Sequence, residues 1–209
     1  MSAADYLPER KTLPLLREAI QHCRGCDLYK YATQAVFGEG PKSSGILFIG
    51  EEPGDEEDRA GHPFVGPSGK LFNRALGEAG IDRTEVFVTN AVKHFKFEDR
   101  GKRRLHKKPT AGEISACRPW LEAEIEVVKP EVLVCLGATA ALSVFGRAYR
   151  VTKERGKFVE HPWAKHATST VHPSAILRAP DDDQRHLEYR RFVDDLIKVR
   201  EVIPARSVR

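Results

Sequence analysis

Long apolar runs are missing from this 209-residue chain, and none is long enough to cross a bilayer as a helix. The opening residues, MSAADYLPERK, lack the apolar stretch of a secretory signal, so a cytoplasmic protein without a membrane partner is expected. Internal repeats and low-complexity linkers are absent too, which excludes a repeat array or a string of tethered modules. Cysteine is limited to four residues, and in a cytosolic chain these are seldom disulfides. Excess charge of one sign is also lacking: 34 basic against 30 acidic residues leave only +4. What remains is 41% hydrophobic and 31% charged, the composition of a globular domain. The length suits one sizeable core rather than two, so a single domain over residues 1–209 is expected.

The distribution of charge says more than its sum. Lys102–Lys108, KRRLHKK, gathers five fixed positive charges and a histidine, while acids such as Asp181–Asp183 offset them later. A local basic patch points to nucleic acid, although a charge run alone fits a solvated loop better.

Apolar segments alternate with helical patterns. Gly45–Gly50 (GILFIG), Val86–Thr89 (VFVT), Val132–Leu136 (VLVCL) and Thr168–His172 (TSTVH) read as strands. Ser68–Ala79, Thr110–Val128, Gly137–Phe145 and Gln184–Val199 read as helices. Thr110 and Glu113 have capping-box spacing, and Pro119 predicts a kink or a junction within its helix. Strands that are apolar throughout and separated by helices imply an α/β fold, a three-layer sandwich around a mostly parallel four-stranded sheet. Val151–Pro162 has room for further short strands. Ligands in such folds bind beyond the carboxyl ends of the strands. That directs attention to Gly50–Gly69, Asn90–Pro109, Gly137–Ala140 and His172–Ser174.

Cys23 and Cys26 form a C-x2-C pair after the first helix, Cys117 lies on a later helix and Cys135 on a buried strand. Four thiolates suit zinc or an iron–sulfur cluster, and spacing does not choose between them. Cys117 and Cys135 are equally readable as small buried residues.

Gly50–Gly69 reads GEEPGDEEDRAGHPFVGPSG. Its glycines and prolines shape a tight backbone that a ligand can approach closely. Its acids argue against a phosphate cradle, and its glycine pattern is neither a P-loop nor a dinucleotide fingerprint. Carboxylates at a strand end suit general-base work or the stabilisation of a cation. Phe64 fits either the core or a platform on which a base stacks.

GEEPGDEEDRAGHPFVGPSGKLF resembles the first motif of the iron–sulfur uracil-DNA glycosylases, GE-x-PG followed by G-x-PFVG-x-(A/S)G. The resemblance continues through CRGCDLY, VTNAVK, ACRPWLEAEI, the Cys135 strand with its LGATA turn, and VHPS. It implies the fold of that family, uracil-containing DNA as partner, free uracil as product, and a monomer. It also implies a structural [4Fe–4S] cluster on Cys23, Cys26, Cys117 and Cys135, tying the N-terminal segment to the core. Asn90 matches the uracil-reading asparagine, with Phe64, Asp55 and Gly50 around the base. Glu51 matches the catalytic carboxylate and His172 the donor to the leaving group. Lys93 and Ser174 are expected at the DNA, Ser174 on a phosphate.

NAVKHFKF followed by KRRLH resembles the X-type branch, UdgX, whose loop reads KRRIH. In that branch the loop histidine attacks the anomeric carbon and stays attached. His106 matches that histidine, and Arg104 is expected to hold the loop or contact phosphate. The X-type motif usually reads GEQPG, whereas Glu52 stands here in place of the glutamine. An ionised glutamate only accepts hydrogen bonds, and its charge would raise the pKa of His106 or alter loop docking. Three other readings stand beside capture: a water-using turnover glycosylase, a glycosylase for another base, and a non-catalytic nucleic-acid-binding protein with a structural metal.

Overall fold

The segment ILFIG has no polar side chain, and all five of its residues are buried. In the computed structural model, which describes residues 2–101 and 103–203, it forms the second strand of the main sheet. In chain order the helix Leu13–Ala19 (α1) leads to strand Ile46–Gly50 (β1), then helices Asp55–Ala60 (α2) and Pro67–Glu78 (α3), and strand Phe87–Asn90 (β2). Strands Phe97–Arg100 (β3) and Arg103–His106 (β4) precede helix Ala111–Val128 (α4) and strand Val132–Leu136 (β5). Helices Ala138–Phe145 (α5) and Val151–Glu154 (α6), strands Val159–His161 (β6) and Ala164–Thr170 (β7), and helices Pro173–Leu177 (α7) and Asp182–Val202 (α8) complete it.

The main sheet has the order β2-β1-β5-β7-β6. The first four strands are parallel and β6 joins antiparallel at the edge. The four-stranded expectation therefore gains one short strand, drawn from Val151–Pro162. Alternation along the strands sorts side chains to two faces. Phe48, Val134 and Leu136 meet Leu71, Phe72 and Leu76 of α3 and Phe192 and Leu196 of α8. Leu47, Ile49, Leu133 and Cys135 meet Leu121 and Ile125 of α4 and Ala140 and Val144 of α5. Each fully buried large apolar side chain contributes roughly 1.5–3 kcal/mol, which is why helices cover both faces. A third cluster joins Leu16, Ile20 and Phe37 of the N-terminal arm to Trp120 and Ile114 of α4.

Three local expectations change. The basic run is a hairpin: β3 and β4 pair antiparallel with Phe97 opposite His106. Lys102 of that run lies outside the described residues. The acids of Gly50–Gly69 are partly helical, since α2 starts at Asp55 and carries four of them in its first turn, where the helix dipole favours negative charge. Helix α4 starts at the expected Thr110–Glu113 capping box and continues through Pro119 as one element.

Candidate active site

Parallel pairing brings four strand ends to one edge. Gly50 lies opposite Asn90, and Leu136 lies opposite Thr170, so Thr139 emerges beside Glu51 and His172 beside Gly137. Close approach requires glycine at position 50. A Cβ there would lie 2.2 Å from Asn90 Oδ1 and 2.8 Å from the Phe64 ring. Gly137, at φ +88°, brings His172 equally near, its own hypothetical Cβ falling 2.9 Å from that of His172. Phe64 adopts φ +59°, a conformation that costs a non-glycine residue energy and marks functional turns. Its ring stacks toward His172 with centroids 6.5 Å apart.

Gly50, Phe64, Asn90 and His172 thus lie close together around one point. Asn90 and Phe64 are buried. Burial pushes the His172 pKa down to about 4, with Arg178 and His106 adding to the fall. The ring is therefore neutral at physiological pH. Its Nδ1 faces the Ser174 backbone N–H at 3.1 Å, which can only donate. That assigns the proton to Nε2, leaving Nε2–H as a donor. The Ser174 hydroxyl lies 2.8 Å from the same Nδ1, so it orients His172 rather than standing free for a phosphate.

The Thr139 hydroxyl donates to Glu51 Oε2, and Glu51 Oε1 lies 3.5 Å from His106 Nε2. Glu52 Oε1 comes closer, at 2.9 Å from the same nitrogen. The Glu52 side chain is fully buried and faces His106. Burial raises the Glu52 pKa to about 7 despite the neighbouring imidazole. The Glu52 carboxylate in turn holds the His106 pKa above its ordinary value, against the opposing effect of desolvation.

Arg104 holds the hairpin that carries His106. Its guanidinium donates to Asp55 Oδ1 at 2.5 Å and to Asp58 Oδ2 at 2.6 Å, and lies over the Phe97 ring at 4.9 Å and Phe95 at 5.4 Å. Its expected loop-holding role fits this geometry and its phosphate role does not. The Asp55 carboxylate also binds Arg59. Two arginines occupy it, so what Asp55 can offer a base is backbone rather than carboxylate.

Lys93 requires correction. It is wholly buried and donates to Glu124 at 2.6 Å, to Thr89 Oγ1 at 2.5 Å and to the Asn90 carbonyl at 2.9 Å. A lysine in α4's embrace cannot reach DNA, because releasing it would leave Glu124 buried without its cation. Glu124 also accepts from Gly38 N and Thr89 Oγ1.

Cys135 requires correction as well. Strand alternation turns it into the apolar layer beneath α4 and α5, whereas Cys23, Cys26 and Cys117 line one cavity with His94 and Trp120. Burial drives the Cys117 thiol up to about 12, with Cys26 and Cys23 among the groups that raise it. For Cys135 burial is the sole cause of its rise. The trio fits a metal cluster in its surroundings too. Trp120 Nε1–H donates to Cys23 Sγ at 3.1 Å and the Lys93 backbone N–H to Cys117 Sγ at 3.3 Å, the N–H···S contacts that tune iron–sulfur centres. His94, buried and pushed down to about 4 by desolvation, presents the neutral imidazole that ligates metals.

Sequence reasoning thus missed His94, Thr139 and Asp58. His94 was legible as the residue after NAVK and Thr139 within the LGATA turn. Nothing in the acidic run singles out Asp58, the one acid there that also binds Thr33.

A family model described as the uracil DNA glycosylase superfamily matches residues 37–197. The chain is 39% identical to a type-4 uracil-DNA glycosylase of Thermotoga maritima, over 91% of this chain and 94% of that protein. It is 38% identical to a type-4 uracil-DNA glycosylase of Pyrobaculum aerophilum, over 80% and 86%. A type-5 uracil-DNA glycosylase of the same organism is 25% identical over 77% and 74%.

Proposed function

Because the chain belongs to the uracil-DNA glycosylase superfamily, we propose that it excises uracil from single- and double-stranded DNA and that His106 then captures the sugar. The convergence of Asn90, Phe64 and His172 on Gly50 carries the first part. The Asn90 amide complements the donor and acceptor edge of uracil, and the Phe64 ring offers a stacking face to a base flipped from the strand. Cleavage breaks the C1′–N1 bond and sends its electron pair into uracil. His172 Nε2–H donates to O2 of the departing anion, and Glu51 stabilises the positive sugar, the type of preorganised electrostatics that dominates such reactions. The placement of His106 Nε2 beside Glu51 supports capture. A neutral imidazole lone pair forms the new bond to C1′, giving an imidazolium adduct. That adduct then loses its remaining N–H proton, while uracil takes up one from solvent.

Cys23, Cys26 and Cys117, with His94 in place of the expected Cys135, would hold an iron–sulfur cluster. Such a cluster would cross-link the N-terminal arm, the end of β2 and α4. The Glu52–His106 pair favours a second reading, turnover with water as nucleophile, because a protonated imidazole has no lone pair at the nitrogen facing the site.

Incubation with uracil-containing single-stranded DNA, followed by a denaturing gel, separates these readings. A shifted band that survives denaturant and disappears in His106→Ala is the expected result. Repeated release of uracil without a shift would establish turnover instead. Absence of any product would leave a nucleic-acid-binding protein, and activity on thymine or hypoxanthine controls would point to a different base.

A further inference from the structure

The Glu52 carboxylate is the least satisfied polar group at the reaction centre. Its side chain is fully buried, and among the described residues neither oxygen has a partner in hydrogen-bond geometry. The approach of His106 Nε2 to 2.9 Å is an ion-pair contact without the alignment of a hydrogen bond. Glu51, Glu52 and His106 each offer one ligand atom, and these three atoms all lie within 4.8 Å of one another. A cation bound at about 2.0–2.2 Å by tetrahedral ligands sets its donor atoms roughly 3.3–3.6 Å apart. The separations of 2.9 and 3.5 Å from Nε2 lie close to that spacing. The site is buried on the Glu52 side and open on the other, where the His106 side chain is 46% exposed, so an ion can enter and a water can complete its shell.

We propose that Glu51, Glu52 and His106 form a divalent-cation site of the zinc class, whose occupation blocks both excision and capture. One imidazole and two carboxylates form a mixed nitrogen–oxygen set that zinc and similar transition ions accept, whereas magnesium prefers oxygen and water alone. The Thr139 hydroxyl on the outer Glu51 oxygen is the kind of contact that orients a metal-binding carboxylate. A bound ion takes the lone pair of His106 and the charge of Glu51, the two features that the proposed reaction requires. Glu52 itself supplies the second carboxylate, which a glutamine at this position would not.

The binding part of the inference is independent of the glycosylase reading, and the inhibitory part rests on it. Cluster-loaded protein is titrated with zinc ions in a calorimeter, with magnesium as control. One zinc per chain is expected beyond any bound at the cysteines, with affinity falling by about tenfold or more in Glu52→Gln and in His106→Ala. Circular dichroism checks that both variants fold. In parallel, zinc is expected to abolish uracil release and adduct formation by the unaltered protein, and a chelator to restore them. Zinc binding that is absent, or equal in both folded variants, overturns the site. Zinc binding that leaves excision and capture at full rate overturns the inhibition. Metal-free protein that leaves uracil DNA intact overturns the glycosylase reading while the calorimetry still decides the site.

Discussion

Two single side chains, Glu52 and Lys93, show how far a residue's role depends on what surrounds it. The Glu52 carboxylate lifts the His106 pKa above 6.5, and only neutral imidazole can attack. Below that raised pKa the histidine is a cation, and each further unit of acidity lowers the reactive fraction about tenfold. Capture should therefore climb as pH rises through a midpoint above 6.5 and level off beyond it. Arg178 opposes the shift and Glu51 assists it, so removing Glu52 charge alone should still move the midpoint. Single-turnover adduct formation across pH should show Glu52→Gln with a lower midpoint and more adduct under mildly acidic conditions. An unmoved midpoint would assign the pH dependence to another group. Lys93 carries a different consequence. Its ammonium is the partner of fully buried Glu124, so Lys93→Met should destabilise the fold by about 3–5 kcal/mol. Urea denaturation measures it, and a loss under about 1 kcal/mol would mean that water reaches Glu124. The lysine was misassigned from sequence because its partner stands 31 positions away, and no local pattern marks a buried pair.

Among the elements, those built on apolar burial were the legible ones. Strand β5 matches its expected bounds because each of its five residues is buried, and α4 starts at its capping box. The hairpin β3–β4 was read as a loop because its residues are largely exposed and charged. Its strands have no apolar alternation, and Arg104 fastens it from outside through Asp55, Asp58 and two aromatic rings. Arg104→Ala should free the hairpin without touching Asn90, Phe64 or His172. Uracil release should persist, while the share of cleaved DNA found as adduct should fall by about tenfold or more, since misplacing a reacting group by 1 Å costs up to about a hundredfold. Quantifying free uracil and shifted band in one reaction checks this. Equal loss of both products would mean that the hairpin also shapes the uracil pocket.

At the scale of the molecule, the sheet that positions the candidate active site also determines which cysteines can meet. Four cysteines in a short chain invite a four-cysteine site, and the sequence contains nothing against it. The contradiction comes from topology. Cys135 lies on the central strand β5, where alternation turns it under α4 and α5, while Cys23 and Cys117 lie in the cluster that joins the N-terminal arm to α4. Cys135 packs against Leu121 and Ile125 on one face of α4, whereas Cys117 and Trp120 lie on another face toward the N-terminal arm, so reaching the cavity would require breaking the pairing of β5 with β1 and β7. Reconstituted Cys135→Ala protein should therefore keep its iron content and visible absorbance. Cys117→Ala should lose both, and His94→Ala should lose iron or hold a less stable cluster. Because the cavity joins the arm to the end of β2, the last two variants should also weaken the packing behind Asn90, seen as a lower melting temperature than that of Cys135→Ala. Iron loss in Cys135→Ala with retention in His94→Ala would return the fourth ligand to β5. It would also require a register for that strand different from the one paired with β1 and β7.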